Sequence, residues 1–268
     1  SEMSLVRGIN QRPSLQAASS LSCWELRFYW STLVYYKLKG AAMKHPFQTS
    51  ESIRLGILLA LSGGFMDAYS YLERGRVFAN AQTGNMLLVG VNLAEGNFRA
   101  MLNYLLPVLA FALGIFLAEI VHVRQTSLLH WRQTAVLLEA LILIGVAFFP
   151  LSLNLPANAL TSFACGIQVE GFRKIHGRGI ATTMCIGNLR SGTENLHHFL
   201  HTREASALRN TFLYYGVILC FIVGAVIGNF VIKILGTKAI LMCSALLLAA
   251  FLMMFIDNEK RTAENALL

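Results

Sequence analysis

The chain has 268 residues with 55% hydrophobic and 13% charged side chains, a mean hydropathy of +0.55 and a formal net charge of +8. A soluble domain carries about 25% charged residues, so this composition excludes a soluble enzyme or a disordered chain and predicts an all-α, polytopic transmembrane helical bundle. The basic residues lie between apolar segments without interleaved stacking aromatics, which excludes nucleic acid as a partner and makes membrane lipid the expected surroundings.

Residues 1–42 differ in composition from the rest of the chain. They mix aromatic and charged side chains without a clean apolar span or the pattern of a cleavable signal peptide. Met43 is followed by a polar stretch and then by the first clean span, as at an ordinary protein start. We interpret residues 1–42 as a non-native or disordered N-terminal extension; the alternative is an interfacial helix with its aromatic rings at the lipid headgroups.

Six later segments are apolar enough to cross a bilayer, which takes about 20 mostly apolar residues. In chain order they are Ile53–Leu72, Met101–Val123, Leu128–Phe149, Ala157–Phe172, Thr211–Leu235 and Ala239–Ile256. The fourth contains several polar side chains, so we expect it to face the protein interior or a water-filled cavity. Two further segments, Val77–Leu93 and Ile180–Leu200, are interrupted, and we predict six full spans plus two short broken helices.

The two broken segments indicate an internal repeat. At a constant offset of 103 residues, Gly63 matches Gly166, Asp67 matches Glu170, and Gly84-Asn85 matches Gly187-Asn188. Each copy then continues into two long apolar spans, which favours duplication over chance resemblance. We predict a first transmembrane repeat at residues 43–150 and a second, with a short C-terminal tail, at residues 151–268.

The charges of the loops bear on topology. The uncharged loop at residues 150–156 is expected outside the cell, and the basic loops at residues 123–132 and 173–178 in the cytoplasm. If the broken segments do not cross, each repeat has three spans and the halves are inverted, as in many transporters. If they do cross, each repeat has four spans and the halves are parallel. We favour the inverted arrangement because it keeps more lysine and arginine inside.

Two motifs carry a resemblance to a known family. The sequences GGFMDA at residues 63–68 and FANAQTGN at residues 78–85 resemble the bacterial YoaK-type integral membrane proteins, a family classed as a domain of unknown function. The sequences CGIQ at residues 165–168 and GNL at residues 187–189 are similar to the family's later motif, although Glu170 and Ile186 depart from it. The resemblance implies a multi-pass inner-membrane protein without an established activity.

Three carboxylates are candidates for binding or proton coupling. Asp67 is either a proton- or cation-coupling acid or an interfacial residue capped by Arg74 or Arg76, since a lone carboxylate in a bilayer is costly. Glu170 has the same two interpretations, with Arg173 one turn away. Glu139 lies near the middle of its span and is either a proton carrier or the partner of a distant arginine.

The broken helices supply the other candidate site residues. Irregular backbone is tolerated at membrane depth only where it is buried in protein or lines a cavity, and threonine and asparagine can satisfy bare backbone groups there. These motifs form either a substrate pocket or a helix crossing. The complete predicted substrate-binding set is Asp67, Gln82, Thr83, Gly84, Asn85, Glu139, Gln168, Glu170, Gly187 and Asn188.

The leading hypothesis is a small-solute or ion transporter of the bacterial inner membrane, in which an acidic residue takes up and releases a proton. The alternative is a non-transporting scaffold or accessory subunit. Glu194, His197 and His201 share one helical face and raise a third hypothesis, an intramembrane metalloenzyme. We predict no metal, no cofactor and no catalytic residue, and homo-oligomerisation stays open.

Overall fold

The computed structural model describes residues 52–124, 128–175 and 178–266, so the predicted extension at residues 1–42 lies outside the described residues. The described chain is all-α, as predicted, apart from two paired strands of two residues each. Its helices are α1 (Ile53–Glu73), α2 (Gln82–Ala94), α3 (Phe98–Arg124), α4 (Leu128–Val146), α5 (Asn154–Gly171), α6 (Cys185–Thr202), α7 (Ala205–Leu235) and α8 (Leu241–Ala266). The strands β1 (Lys174–Ile175) and β2 (Arg178–Gly179) are antiparallel.

Local sequence explains where α1 begins and ends. The Ser52 hydroxyl accepts a hydrogen bond from the Leu55 N–H at 3.2 Å, which caps the first turn. At the other end, Gly75 and Arg76 have φ values of 86° and 61°. These left-handed conformations end the helix and turn the chain back along it.

Three described stretches are long and apolar enough to cross a membrane: Ile53–Glu73, Phe98–Val123 and Ala205–Met254. The last has 50 residues and comprises α7, a 3-10 turn at Gly236–Ile240 and the first part of α8. Many large apolar side chains on α3 and α7 are exposed, among them Leu109, Phe116, Leu219 and Phe230. Lipid is the solvent that such a surface requires, and these features together indicate a membrane protein.

The polar helix α5 faces the protein interior, as predicted. Asn158, Thr161, Ser162 and Gln168 are all buried, and α5 packs against α3 and α4. Each of these four side chains makes at least one hydrogen bond inside the bundle, which offsets much of the cost of burying them.

A buried arginine attaches the end of α1 to the turn between α4 and α5. The Arg74 Nε donates to the Tyr69 hydroxyl at 2.8 Å, and its Nη2 donates to the Val146 and Phe149 carbonyls at 3.0 and 2.9 Å. Its Nη1 donates to Asn154 Oδ1 at 3.3 Å. A cation is favourable at a helix C-terminus, where the carbonyl groups are unpaired. The end of α1, the end of α4 and the start of α5 therefore lie together, at what we call the Arg74 end.

Contacts at both ends give the direction of the other long helices. The Tyr69 hydroxyl donates to the Thr237 carbonyl at 2.9 Å, which places the junction of α7 and α8 at the Arg74 end. Arg173, just beyond α5, donates to Glu119 in the last part of α3 at 2.6 Å, at the opposite end, which we call the Arg173 end. Thus α1, α4 and α7 run toward the Arg74 end, and α3, α5 and α8 run away from it.

Two helix pairs cross with their backbones in contact at glycines. A Cβ on Gly64 of α1 would collide with the Phe221 carbonyl of α7, and a Cβ on Gly166 of α5 would collide with the Phe111 carbonyl of α3. The reciprocal collisions involve Gly224 with Leu61 and Gly114 with Phe163. Small residues permit this close approach, and van der Waals packing then holds the helices together. The pairs α1–α7 and α3–α5 are the most extensive helix contacts in the described chain.

The substitution Gly64→Ala should destabilise the protein strongly, because the new methyl group has no room beside the α7 backbone. Overpacking of this kind costs about 3 kcal/mol, which corresponds to a fall of about 6 °C or more in apparent melting temperature for a domain of this size. Gly90→Ala in α2 is the matched control, since nothing lies within 4 Å of a Cβ placed there. Equal melting temperatures for the two purified variants would contradict the close crossing.

Candidate functional site

The chain re-enters the bundle after α1. Residues 77–81 are not helical and run back along α1, where the Asn80 N–H donates to Asp67 Oδ1 at 2.7 Å. The Asn80 side-chain amide reaches further and donates to the Gly63 carbonyl at 3.1 Å, near the middle of α1. Helix α2 begins there, at Gln82, and leads to the start of α3 at the Arg74 end. Thus the first broken segment enters from the Arg74 end and returns to it.

A second segment re-enters from the opposite end. After α5 and the β1–β2 pair, the chain returns to the middle of the bundle, where a Cβ on Gly63 would lie 2.8 Å from Thr183 Cγ2. Helix α6 begins at Cys185 and leads back to the start of α7 at the Arg173 end. The N-termini of α2 and α6 therefore approach each other in the interior.

Two asparagines satisfy the non-helical backbone at these breaks. Asn85 Oδ1 accepts from the Phe78 N–H at 3.0 Å, and its Nδ2 donates to the Phe78 carbonyl at 2.8 Å. Asn188 does the same with Ala181, at 3.3 and 2.6 Å. Both side chains are at most 1% exposed. We call these pairs the asparagine clamps; they confirm the expectation that asparagine binds bare backbone groups here.

The neighbouring motif residues neither cap nor break the helices. Thr83 does not cap α2; its side chain is exposed and lines a cavity. Gly84 and Gly187 lie inside helices and do not break them. A Cβ on Gly84 would lie 2.8 Å from the Phe78 ring, so this glycine makes room for the ring, whereas Gly187 borders open space in a smaller cavity.

Gln82 connects the start of α2 to the polar helix α5. Its Nε2 donates to the Ala79 carbonyl at 2.7 Å and to the Ser162 hydroxyl at 3.3 Å, and its Oε1 accepts from Asn85 at 2.8 Å. The first clamp is therefore part of a buried hydrogen-bond network, which positions the first re-entrant segment more rigidly than one bond would.

A cavity of about 920 Å³ lies where the two re-entrant segments meet. Its walls come from α1, α3, α7 and both re-entrant segments, which contribute Asp67, Phe111, Phe221, Thr83 and Thr183 respectively. Its volume falls in the usual range for small-molecule sites, about 300–1,000 Å³.

Asp67 is in the wall of this cavity and is not capped by an arginine. The carboxylate is 8% exposed and accepts the Asn80 N–H, as an acid beside a helix N-terminus should. Arg74 is engaged with carbonyl groups at the helix ends, and the Arg76 guanidinium lies 5.8 Å from the centre of the Tyr71 ring. The interfacial alternative, in which one of these arginines caps Asp67, is therefore wrong.

Glu139 is fully buried, and its partner is a neutral amide. The Gln168 amide lies between Glu139 and Thr182: one of its atoms is 2.6 Å from Glu139 Oε1, and the other is 3.2 Å from the Thr182 hydroxyl. With its nitrogen toward Glu139, the amide donates to the carboxylate and accepts from Thr182. Among the described residues no arginine pairs with Glu139, and the polar contact extends to the second re-entrant segment instead.

Glu170 lies outside the cavity and pairs with Arg173 in a cluster at the Arg173 end. The same guanidinium binds Glu119, and His122 lies 3.4 Å from that carboxylate. Glu119, His122 and Glu170 are the only described residues grouped closely enough to hold a metal, but the Arg173 guanidinium binds both carboxylates. This cluster joins α3 to α5, and sequence spacing did not reveal it because Glu119 and Arg173 are distant in the chain.

The metal face on α6 that the third hypothesis requires does not assemble. Glu194 accepts a hydrogen bond from Arg190 at 2.9 Å, and the His201 Nδ1 lies 3.1 Å from the His197 carbonyl. These side chains do not form a three-ligand group in the described part of the chain. The helical spacing that motivated the hypothesis is present, but the carboxylate has another partner.

Comparison with known proteins gives two matches. A family described as "Protein of unknown function (DUF1275)" matches residues 55–253. The chain is also 30% identical over 182 residues to the UPF0700 transmembrane protein YoaK of Bacillus subtilis (strain 168), and this alignment covers 63% of the chain and 79% of that protein. No solved structure matches the chain.

Loss of one asparagine clamp should loosen its own re-entrant segment and leave the other unchanged. Asn85→Ala removes both bonds to Phe78, and leaving a buried N–H and carbonyl unpaired costs about 2–4 kcal/mol. We expect faster hydrogen–deuterium exchange in peptides that cover residues 77–85, with no change at residues 180–188, when exchange is followed by mass spectrometry. Asn188→Ala should give the reverse pattern. If exchange in both variants equals that of the unsubstituted protein, the clamps do not stabilise the non-helical segments.

Proposed function

Because the chain belongs to the family described as DUF1275, whose Bacillus subtilis relative YoaK is a transmembrane protein, we propose that it is a multi-pass protein of the bacterial inner membrane that transports a small solute. The observation that carries this proposal is the cavity at the meeting point of the two re-entrant segments, with Asp67 in its wall. Transporters commonly bind their substrates at such breaks near the bilayer midplane, between two structural repeats.

Paired contacts support the proposal that the chain consists of two inverted repeats. The first long helix of each predicted half packs on a helix of the other half: α1 on α7, and α5 on α3. Both crossings place a glycine against the carbonyl of a phenylalanine, and both clamps join an asparagine to the residue seven positions earlier. Since α1 and α5 run in opposite directions, the relation between the halves is an inversion.

These contacts also revise the register of the repeat. Gly64 and Gly166 occupy equivalent positions at the two crossings, which aligns Asp67 with Val169 rather than with Glu170. The offset is 102 residues at the glycines and 103 at Asn85 and Asn188, so the second half has one extra residue between these points. On this register only the first half has an acid at the cavity, and Glu170 serves the ion-pair cluster instead.

We propose six membrane crossings, made by α1, α3, α4, α5, α7 and α8. Helices α2 and α6 begin in the interior and return to the end from which their segments entered, so neither crosses. The Arg74 end contains the uncharged loop at residues 150–156 but also Arg76, Arg99 and Lys238, whereas the Arg173 end contains the basic loops at residues 123–132 and 173–178 and the larger number of basic residues. The positive-inside rule then places the Arg173 end and both ends of the described chain in the cytoplasm.

In the proposed mechanism, the helix pair α1–α7 moves against the helix pair α3–α5 during transport. The cavity lies between α1–α7 on one side and α3 on the other, so rocking of the pairs would open it toward each end in turn. The bond from Asn80 to Asp67 makes the first re-entrant segment sensitive to the charge of this carboxylate. Binding of a proton or a solute at Asp67 can thereby bias the position of α2. The proposal requires no catalytic residue and no cofactor.

The topology can be tested by labelling single cysteines from one side of the membrane. Glu95 follows α2 at the Arg74 end, and Glu204 precedes α7 at the Arg173 end; both are exposed. In intact cells, a membrane-impermeant maleimide should label Glu95→Cys, but it should label Glu204→Cys only after the membrane is opened. Labelling of the unsubstituted protein gives the background from its own cysteines. Labelling of both positions from outside would contradict an inverted six-span arrangement.

Transport can be tested with purified protein in liposomes that contain a pH-sensitive dye and receive, in turn, amines, amino acids, organic acids and sugars. We expect at least one class to give a protein-dependent signal, and Asp67→Asn to lower its initial rate about tenfold or more, since a buried charge at a binding site contributes at least 1.4 kcal/mol.

The matched control for transport is Glu95→Gln, which makes the same change from carboxylate to amide at an exposed position outside the cavity. Its rate should stay within about twofold of the unsubstituted protein. If no solute class gives a protein-dependent signal, or if Asp67→Asn transports normally, the transport mechanism fails and the scaffold alternative gains.

A further inference from the structure

The cavity beside Asp67 combines a single carboxylate with walls of carbon. Among its lining residues, Asp67 is the only aspartate, glutamate, lysine or arginine. The remaining wall is mainly aliphatic and aromatic, and its rings belong to Tyr71, Phe78, Phe111 and Phe221. An occupant must therefore match one negative charge and a large apolar surface.

The negative charge of Asp67 is not balanced by a cation from the described chain. Asp67 forms no ion pair among the described residues, and its hydrogen bonds come from neutral backbone N–H groups of Asn80, Ala81 and Ala79 beside the start of α2. In surroundings of low polarity, a carboxylate without a cationic partner attracts a positive charge much more strongly than it does in water.

The chemistry of the walls disfavours two other kinds of occupant. A bare divalent cation could use the Asp67 carboxylate and the few side-chain oxygens of the wall, but it would leave the large apolar surface without contacts. An organic anion would meet a charge of its own sign at Asp67. A cation with an apolar body satisfies both features, because its charge neutralises the carboxylate and its body contacts rings that also attract cations through their faces.

We propose that this cavity is a binding site for a hydrophobic organic cation, such as an amine or quaternary ammonium ion with an aromatic or branched apolar body. The charged group binds Asp67 and the apolar body lies against Phe78 and Phe111. This assignment names the solute class for the transport function proposed above and rests on that function for its biological meaning. The binding site itself can be tested without transport.

The start of α6 favours an anion in the same cavity and so competes with the preference of Asp67 for a cation. Its first residues, Cys185 and Ile186, line the same cavity, and a helix N-terminus attracts anions. The start of α2 is already compensated, because Asp67 accepts a hydrogen bond from Asn80 beside it. A test of the proposal must therefore compare ligands of similar shape and different charge.

The test uses tritiated tetraphenylphosphonium with the full-length protein in detergent, and empty micelles provide the background. Competitors with three phenyl groups each differ in charge: methyltriphenylphosphonium is a cation, triphenylphosphine oxide is neutral and triphenylacetate is an anion. We expect saturable binding that the cation displaces at a concentration about tenfold or more below those needed for the neutral and anionic competitors.

Variants locate the site. Asp67→Asn can still accept the Asn80 N–H, so the fold should persist while affinity for the cation falls about tenfold or more. Ala112→Phe narrows the cavity without changing its charge and should also abolish binding, whereas Leu113→Phe on the lipid-facing side of α3 should not. Melting temperature and size-exclusion profile confirm that each variant is folded.

Four results would overturn the assignment. Absence of saturable binding would do so. Displacement by the neutral competitor at the same concentration as by the cation, in both wild type and Asp67→Asn, would also do so, because it indicates a nonspecific apolar groove. Strongest displacement by triphenylacetate would assign the cavity to anions, through the α6 N-terminus. Binding that survives Ala112→Phe would place the cation elsewhere.

The binding result and the transport result can fail separately. If binding depends on Asp67 but no flux is seen in liposomes, the binding site is supported and the proposed transport function is contradicted. Flux of another solute that depends on Asp67, without binding of tetraphenylphosphonium, would support transport and end the assignment of the solute class.

Discussion

The whole architecture depends on how bare backbone is satisfied inside an apolar helical bundle. A chain that leaves helical geometry in an apolar medium exposes N–H and carbonyl groups, each of which costs several kcal/mol if unpaired. Asn85 and Asn188 answer this constraint directly, since each gives one acceptor and one donor to a single residue of the extended chain. They stabilise the two re-entrant segments in the interior, where these segments form part of the cavity wall.

The sequence predicted those features that depend on composition and short spacing. The apolar lengths predicted the helical class, the polar pattern of α5 predicted its buried face, and the Gly-Asn motifs predicted the two breaks. Features that depend on contacts between distant residues were out of reach. Arg74 looked like a local partner for Asp67, yet its guanidinium binds the end of α4, and Glu139 meets an amide from another helix. Spacing also could not show that Glu194 pairs with Arg190, because a carboxylate on a helix has several neighbours within reach.

The two interior acids differ in their surroundings, and this difference divides their roles. Asp67 faces a cavity and touches the first re-entrant segment, whereas Glu139 is sealed from solvent and touches the second through Gln168. The Gln168 amide can donate to an ionised Glu139 or accept from a neutral one, and Thr182 lies on its other side in both cases. A proton on Glu139 would therefore reverse a short chain of hydrogen bonds that ends beside the start of α6.

The glycine crossing of α1 with α7 also has a consequence for biosynthesis. Helix α1 is made before the other described helices, but the surface that Gly64 fits is made only after five more of them. Until α7 is made, the surface of α1 around Gly64 contacts lipid or the insertion machinery instead of α7. The α1–α7 crossing can therefore form only after α7 has been made, and a chain truncated before α7 would lack the surface on which Gly64 packs.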